Sequence, residues 1–164
     1  MSATHHHQHM TSRPQGAALT RLAVSATLHC LTGCAIGEVL GLVLATWWGW
    51  SNGPSIALAV ALAFVFGYAL TIAPVLRSGL PLRRALAVAF AADTLSILTM
   101  EIVDNAVMLA VPGAMEAGLL NPLFWGALAF ALAVAFVVTV PVNRALIGRG
   151  KGHAVVHAYH HAGH

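Results

Sequence analysis

One stretch of the chain decides the fold: residues 19–46, which read LTRLAVSATLHCLTGCAIGEVLGLVLAT. A helix needs about 20 predominantly apolar residues to cross the hydrocarbon core of a membrane. This stretch is longer than that and carries one Arg near its start and one Glu further along. Because lipid offers no hydrogen-bond partners to the backbone, a segment of this kind is expected to be helical. Residues 19–46 therefore predict a first membrane-spanning helix.

Three further apolar segments of similar length follow, at residues 55–76, 86–111 and 123–147. The separators WWGWSNGP, RSGLPLRR and PGAMEAGLLNP are rich in Gly, Pro and Asn, which is typical of turns. The sequence thus predicts an all-α, polytopic membrane bundle of four transmembrane helices over residues 19–147. A His-containing polar tail (1–18) precedes it, and a His-rich cytoplasmic tail (148–164) follows it.

The composition excludes several classes of protein. The chain of 164 residues is 59% hydrophobic and only 8% charged, whereas soluble domains carry about 25% charged residues. A soluble enzyme is therefore excluded, and the expected partner is the lipid bilayer. The basic residues are divided among short loops, so no nucleic-acid partner is expected. The first 18 residues contain no apolar core, so we expect a retained tail and not a signal peptide.

The positions of the Lys and Arg residues predict the topology, because cytoplasmic loops carry an excess of both. With four crossings, all eight fall on one side: Arg13, Arg21, Arg77, Arg83, Arg84, Arg144, Arg149 and Lys151. Both termini are therefore predicted to be cytoplasmic. The opposite side carries an aromatic belt of Trp47, Trp48, Trp50 and Trp125, as is typical of a membrane interface.

The first segment contains glycines at a four-residue spacing, Gly33, Gly37 and Gly41. Such a run lets two helix backbones approach closely. The sequence favours packing within one chain, and it leaves a homodimer seam as the alternative.

Ionisable and sulfur-containing residues in the first segment are the first candidate ligands. His29, Cys30, Cys34 and Glu38 lie inside the predicted span, and the last three share one helix face at 100° per residue. Thiolate, imidazole and carboxylate groups are ligands for transition metals. The alternative is that both cysteines are small packing residues.

The third segment carries the more unusual set, Asp93, Met100, Glu101 and Asp104. Acids on one side of a membrane helix repel one another unless they are protonated, paired or bound to a cation. With the thioether of Met100, they predict a site for copper(I) or another late transition metal. Neutral, hydrogen-bonded acids that fasten the bundle are the alternative. The second and fourth segments contain no acid, His or Cys and are interpreted as scaffold.

The end of the chain, GKGHAVVHAYHHAGH, could form a further metal-binding face. If it is helical, four imidazoles share one side: His153, His157, His160 and His164. The alternative is a disordered His-rich tail that binds divalent metals weakly. The near-terminal HHHQH at residues 5–9 is interpreted as native sequence and not as an engineered tag.

The strings LHCLTGCAIGEVLG, ADTLSILTMEIVDN and PVNRALIGRGKGHAVVHAYHH resemble the bacterial membrane family catalogued as domain of unknown function 4396. The resemblance implies a compact multi-pass protein of the bacterial inner membrane, some relatives of which are associated with copper-oxidase-type domains, and it brings no settled activity. The matching positions are His29, Cys30, Cys34, Glu38, Asp93, Glu101, Asp104, Asn105, His153 and His157.

The leading hypothesis is a protein that binds a transition-metal ion, with copper favoured, and hands it across or into the membrane. Copper-handling proteins would be its partners. One alternative is a thiol and quinone redox protein that cycles Cys30 and Cys34. The other is a structural or assembly subunit of a membrane complex, in which the polar residues serve helix association alone. The sequence contains no G-x-S-x-G, P-loop, Rossmann glycine fingerprint or H-E-x-x-H motif, so an enzyme is not favoured.

Overall fold

The computed structural model describes residues 15–77, 79 and 81–149. All regular secondary structure in these ranges is helical: α1 (Gly16–Trp47), α2 (Asn52–Arg77), α3 (Leu82–Ala110) and α4 (Pro122–Gly148). The helices begin and end within a few residues of the predicted segments. Most of the two predicted tails, 1–18 and 148–164, lies outside the described residues.

Local sequence explains where α4 begins and where α1 ends. The N-cap of α4 is Asn121, whose side chain accepts a hydrogen bond from the Leu123 N–H at 2.9 Å. Pro122 follows at the first helical position, where its missing N–H costs nothing. After α1, Gly49 adopts φ 68°, and the Trp50 N–H then donates to the Ala45 carbonyl oxygen. This left-handed glycine ends the helix, as is common at helix C-termini.

Three helices, α1, α2 and α4, are long and apolar enough to cross a membrane. Helix α3 bends by 46° between Ala91 and Asp93, and it provides a fourth span if its two halves are taken together. The large apolar side chains exposed on the outside of the helices, such as Ile102, Leu109 and Val137, suit a lipid environment. The chain is thus a helical multi-pass protein with three, or up to four, candidate membrane spans.

Helices α1 and α2 pack backbone against backbone. A side chain at Gly33 would meet Gly67, and one at Gly41 would meet Ala59, each with an atom-to-atom distance of 2.5–2.7 Å. Gly37, between them, faces the backbone of Ala63 even more closely. The glycine run therefore serves packing within the chain. Because α2 covers this stripe, the alternative of a homodimer seam along it is wrong.

The contacts between helices define an up-and-down bundle. Asn143 of α4 bonds to Thr27 of α1, and Gly148 of α4 faces Leu19 of α1, so these two helices run antiparallel. The ends of the described chain consequently lie together. The arginines of the described residues gather at that end: Arg21, Arg77, Arg83, Arg84, Arg144 and Arg149. The opposite end bears the exposed Trp47, Trp48, Trp50 and Trp125.

Candidate functional site

A cluster of sulfur atoms lies at the centre of the bundle. Cys30 and Cys34 from α1 pack in one buried group with Met100 from α3. All four helices enclose it, since Ala63 of α2 and Ala135 of α4 belong to the same group. Cys34 and Met100 are 1% and 0% exposed, and both cysteines are free thiols. The structure therefore joins three of the sulfur-containing residues that the sequence proposed as ligands.

A carboxyl group adjoins this sulfur cluster. The Glu101 carboxyl group interacts with the Cys34 thiol, and the Cys34 thiol interacts in turn with that of Cys30. Glu101 is itself buried, with 4% of its surface exposed. The apolar core thus contains one continuous group of ligand atoms, which consists of the two thiols, the Met100 thioether and the Glu101 carboxyl group.

A second pair of acids lies one helical turn further along the bundle. The Glu38 carboxyl group approaches that of Asp104, and Glu101 is close enough to act electrostatically on Glu38. Asp104 is 2% exposed, and its carboxyl group forms a close pair with that of Glu38. Two carboxyl groups at close range in an apolar environment require a shared proton or a cation.

Helix periodicity accounts for this arrangement. Residues Cys30, Cys34 and Glu38 recur at intervals of four, so they follow one another along the same side of α1. Helices α1 and α3 run in parallel, since Cys34 meets Glu101 and Glu38 meets Asp104 in ascending order. When successive helices run in alternating directions, the first and the third point the same way.

These acids have no basic counterpart in the part of the chain that the structure describes. The groups acting on Glu38, Glu101 and Asp104 are other carboxyl groups and a thiol. In the same ranges, no set of three His, Cys, Asp or Glu side chains converges to hold one metal ion. The donor groups are instead arranged in pairs, with the Met100 thioether beside the thiol pair.

A cavity of about 130 Å³ extends from the second acid pair toward the tryptophan-bearing end. Glu38 and Asn105 lie at its wall, together with Met108 of α3. The loop between α3 and α4 contributes Met115 and Glu116. Sequence reasoning missed this cavity, because it depends on how the loop folds back over the helix ends.

Toward the arginine-bearing end, an asparagine connects three helices. The Asn143 amide donates to the Thr27 hydroxyl at 2.8 Å and to the Ser96 hydroxyl at 3.0 Å. Thr139, one turn earlier on α4, is fully buried. The bridge agrees with the interpretation of α4 as scaffold, because its amide side chain joins α1 to α3. A polar Asn inside a predicted span was the signal that could have revealed it.

Two further predicted ligands are His29 and Asp93. His29 is half-buried on the flank of α1. Asp93 is buried next to the bend of α3, and eight residues of helical rise place it about 12 Å from Glu101 along the axis. The tail residues His153, His157, His160 and His164 lie outside the described residues, so their proposed role stays a prediction.

Comparison with known proteins gives a family and no activity. No curated protein and no solved structure matches the chain. Residues 20–152 match the family described as a domain of unknown function (DUF4396), which is most of the chain and includes all but the first turn of α1 and the whole of the other three helices. The chain belongs to this DUF4396 family.

Proposed function

We propose that this protein binds a transition-metal ion inside the membrane, for transport or for handling of the ion across it. Copper(I) is the ion that the ligand types favour, because soft thiolate and thioether sulfur select it. The supporting observation is the buried group in which Cys30, Cys34 and Met100 meet, with Glu101 against Cys34. Here Cys30, Cys34 and Met100 would bind the ion, and Glu101 would accept the proton that a thiol must lose.

The carboxyl groups support a cation in preference to simple packing. Ionised acids in a membrane interior are costly and mark ion or proton pathways. Glu38, Asp104 and Glu101 follow one another between α1 and α3, and the described residues supply no basic partner for them. Acids that serve only to fasten helices would be expected to meet hydrogen-bond donors, whereas Glu38 and Asp104 face each other as two carboxyl groups.

We further propose the membrane setting. The protein crosses the bacterial cytoplasmic membrane four times, with the bent α3 as one full span and with both termini in the cytoplasm. The supporting observation is the separation of charge, with arginines at one end of the bundle and tryptophans at the other. Alkaline phosphatase fused after residue 50 or residue 118 is expected to be active outside, and a fusion after residue 79 to be inactive.

The metal proposal is tested on full-length, tag-free protein purified in detergent. Anaerobic loading with Cu(I) and elemental analysis should give one equivalent more in the wild type than in Cys30→Ser/Cys34→Ser. The histidines of the tails contribute equally to both proteins, so the difference reports the core. The matched control is Asp93→Asn, a second buried acid of the same helix, which lies about 12 Å from Glu101 along the axis. Asp93→Asn should bind as much Cu(I) as the wild type, whereas Glu101→Gln should bind Cu(I) more weakly.

The proposal fails if the double cysteine variant binds as much Cu(I) as the wild type while keeping its helical circular-dichroism spectrum. Thiol trapping in cells that produce the protein is a second test, which reports whether Cys30 and Cys34 form a disulfide. A disulfide between Cys30 and Cys34, together with no difference in copper, would replace ion binding by the thiol redox alternative.

A further inference from the structure

The cavity at the tryptophan-bearing end contains a second set of soft ligands. Met108 is buried at its wall, and Met115 enters it from the loop between α3 and α4. Two of the five methionines of this chain thus meet at one cavity, beside the carboxyl groups of Glu38 and Glu116. Thioether sulfur prefers soft ions such as Cu(I) to hard ions such as Mg²⁺ or Ca²⁺.

The charge of the cavity favours a cation. Glu38 and Glu116 are its ionisable lining residues, and no Lys, Arg or His lines it within the described part of the chain. A cleft with one sign of charge and apolar walls raises the local concentration of the opposite charge. At about 130 Å³ the cavity has room for several water molecules, so an ion can enter with part of its hydration shell.

The cavity also connects with the interior. Glu38 lines it and at the same time pairs with Asp104, which is 98% buried. Glu101 acts on Glu38 and also adjoins Cys34. An uninterrupted series of donor groups therefore leads from the cavity to the sulfur cluster.

We propose that this cavity is a separate capture site for a soft monovalent cation, Cu(I), with Met108 and Met115 as the thioether ligands and Glu38 at its inner wall. The inference rests on the proposed function, since it names the place where the ion enters. It also predicts the direction of ion movement, from the tryptophan-bearing end toward the sulfur cluster. The Asn143 bridge between Thr27 and Ser96 occupies the other end of the polar path.

The test uses full-length protein in which all methionines are selenomethionine. After anaerobic loading with Cu(I), selenium-edge X-ray absorption reports directly whether copper contacts a methionine side chain. Met100→Leu removes the only methionine of the sulfur cluster, so a copper–selenium contact that persists in this variant must come from outside that cluster. It should be lost when Met108→Leu and Met115→Leu are added. Met-to-Leu changes nearly conserve volume and leave packing largely intact.

The outcomes separate the two proposals. Absence of the contact in folded Met100→Leu protein overturns the capture site. A contact that survives in Met108→Leu/Met115→Leu but disappears with Met100→Leu supports the sulfur cluster alone, and thus the proposed function without the capture site. If Met100→Leu does not fold, the Met108→Leu/Met115→Leu variant decides. Its copper–selenium amplitude must fall below that of the wild type, and an unchanged amplitude refutes the inference.

Discussion

Replacing Gly37 by Ala should loosen the bundle, because no space exists for even one methyl group. The added Cβ would overlap the Leu62 carbonyl carbon and the backbone nitrogen and Cα of Ala63. These atoms belong to the backbone of α2 and cannot rotate away as a side chain could. The two helices would therefore have to separate, which would also open the neighbouring contacts of Gly33 and Gly41.

The expected cost follows from two opposing terms. Overpacking a filled core typically costs about 1–3 kcal/mol, and we expect a clash with backbone to cost about 3 kcal/mol, the upper end of this range. The better helix propensity of Ala returns about 1 kcal/mol. We therefore expect Gly37→Ala to lower the free energy of unfolding by about 2 kcal/mol, from the difference of these two terms.

The measurement is reversible unfolding in mixed micelles with increasing sodium dodecyl sulfate, followed by far-ultraviolet circular dichroism. Gly126→Ala is the matched control, because a Cβ at this exposed position of α4 meets no atom within 4 Å. The control should be neutral, or stabilised by up to about 1 kcal/mol through helix propensity alone. A wild-type stability for Gly37→Ala, or an equal loss in both variants, would refute the reasoning about backbone contact.

Three further changes test other parts of the fold by the same unfolding measurement. Asn143→Ala removes two interhelical hydrogen bonds and should cost about 1 kcal/mol, since such bonds average about 0.6 kcal/mol in membranes; no loss would show that the bridge is energetically silent. Tyr68→Phe removes the bond at 2.9 Å to the Thr94 hydroxyl and should cost about 0.6 kcal/mol. It should add nothing when Thr94 is already Val, and full additivity would contradict the pairing. Gly49→Ala places a side chain at φ 68° and should cost about 1 kcal/mol, whereas Gly118→Ala, at an open position without positive φ, should not.

Much of the fold can be predicted from the sequence, because each feature involved is local. Segment length and apolarity predict the helices, and the Gly33, Gly37 and Gly41 run predicts a close helix pair. The bend of α3 next to Asp93 was not predictable in this way. Neither Pro nor Gly occurs in α3, and nothing in the described residues explains the bend.

The candidate site was predictable only in part. Helix periodicity places Cys30, Cys34 and Glu38 on one face, and the structure brings that face against Met100, Glu101 and Asp104. Periodicity does not say which helix covers a given face, so the contribution of Asn143 remained hidden. It also says nothing of a loop, and the cavity walls formed by Met115 and Glu116 could therefore not be foreseen.

The close pairing of α1 with α2 has a consequence for how the protein is made. A chain emerges from the ribosome N-terminus first, so this hairpin is complete before any of the acids of α3 has been synthesised. Its glycine interface needs neither of the later helices. When Glu101 and Asp104 enter the bilayer, the thiols of Cys30 and Cys34 and the carboxyl group of Glu38 are already there to receive them. On this order of synthesis, the most polar helix is the third to be made, after the pair whose polar face it contacts in the finished bundle.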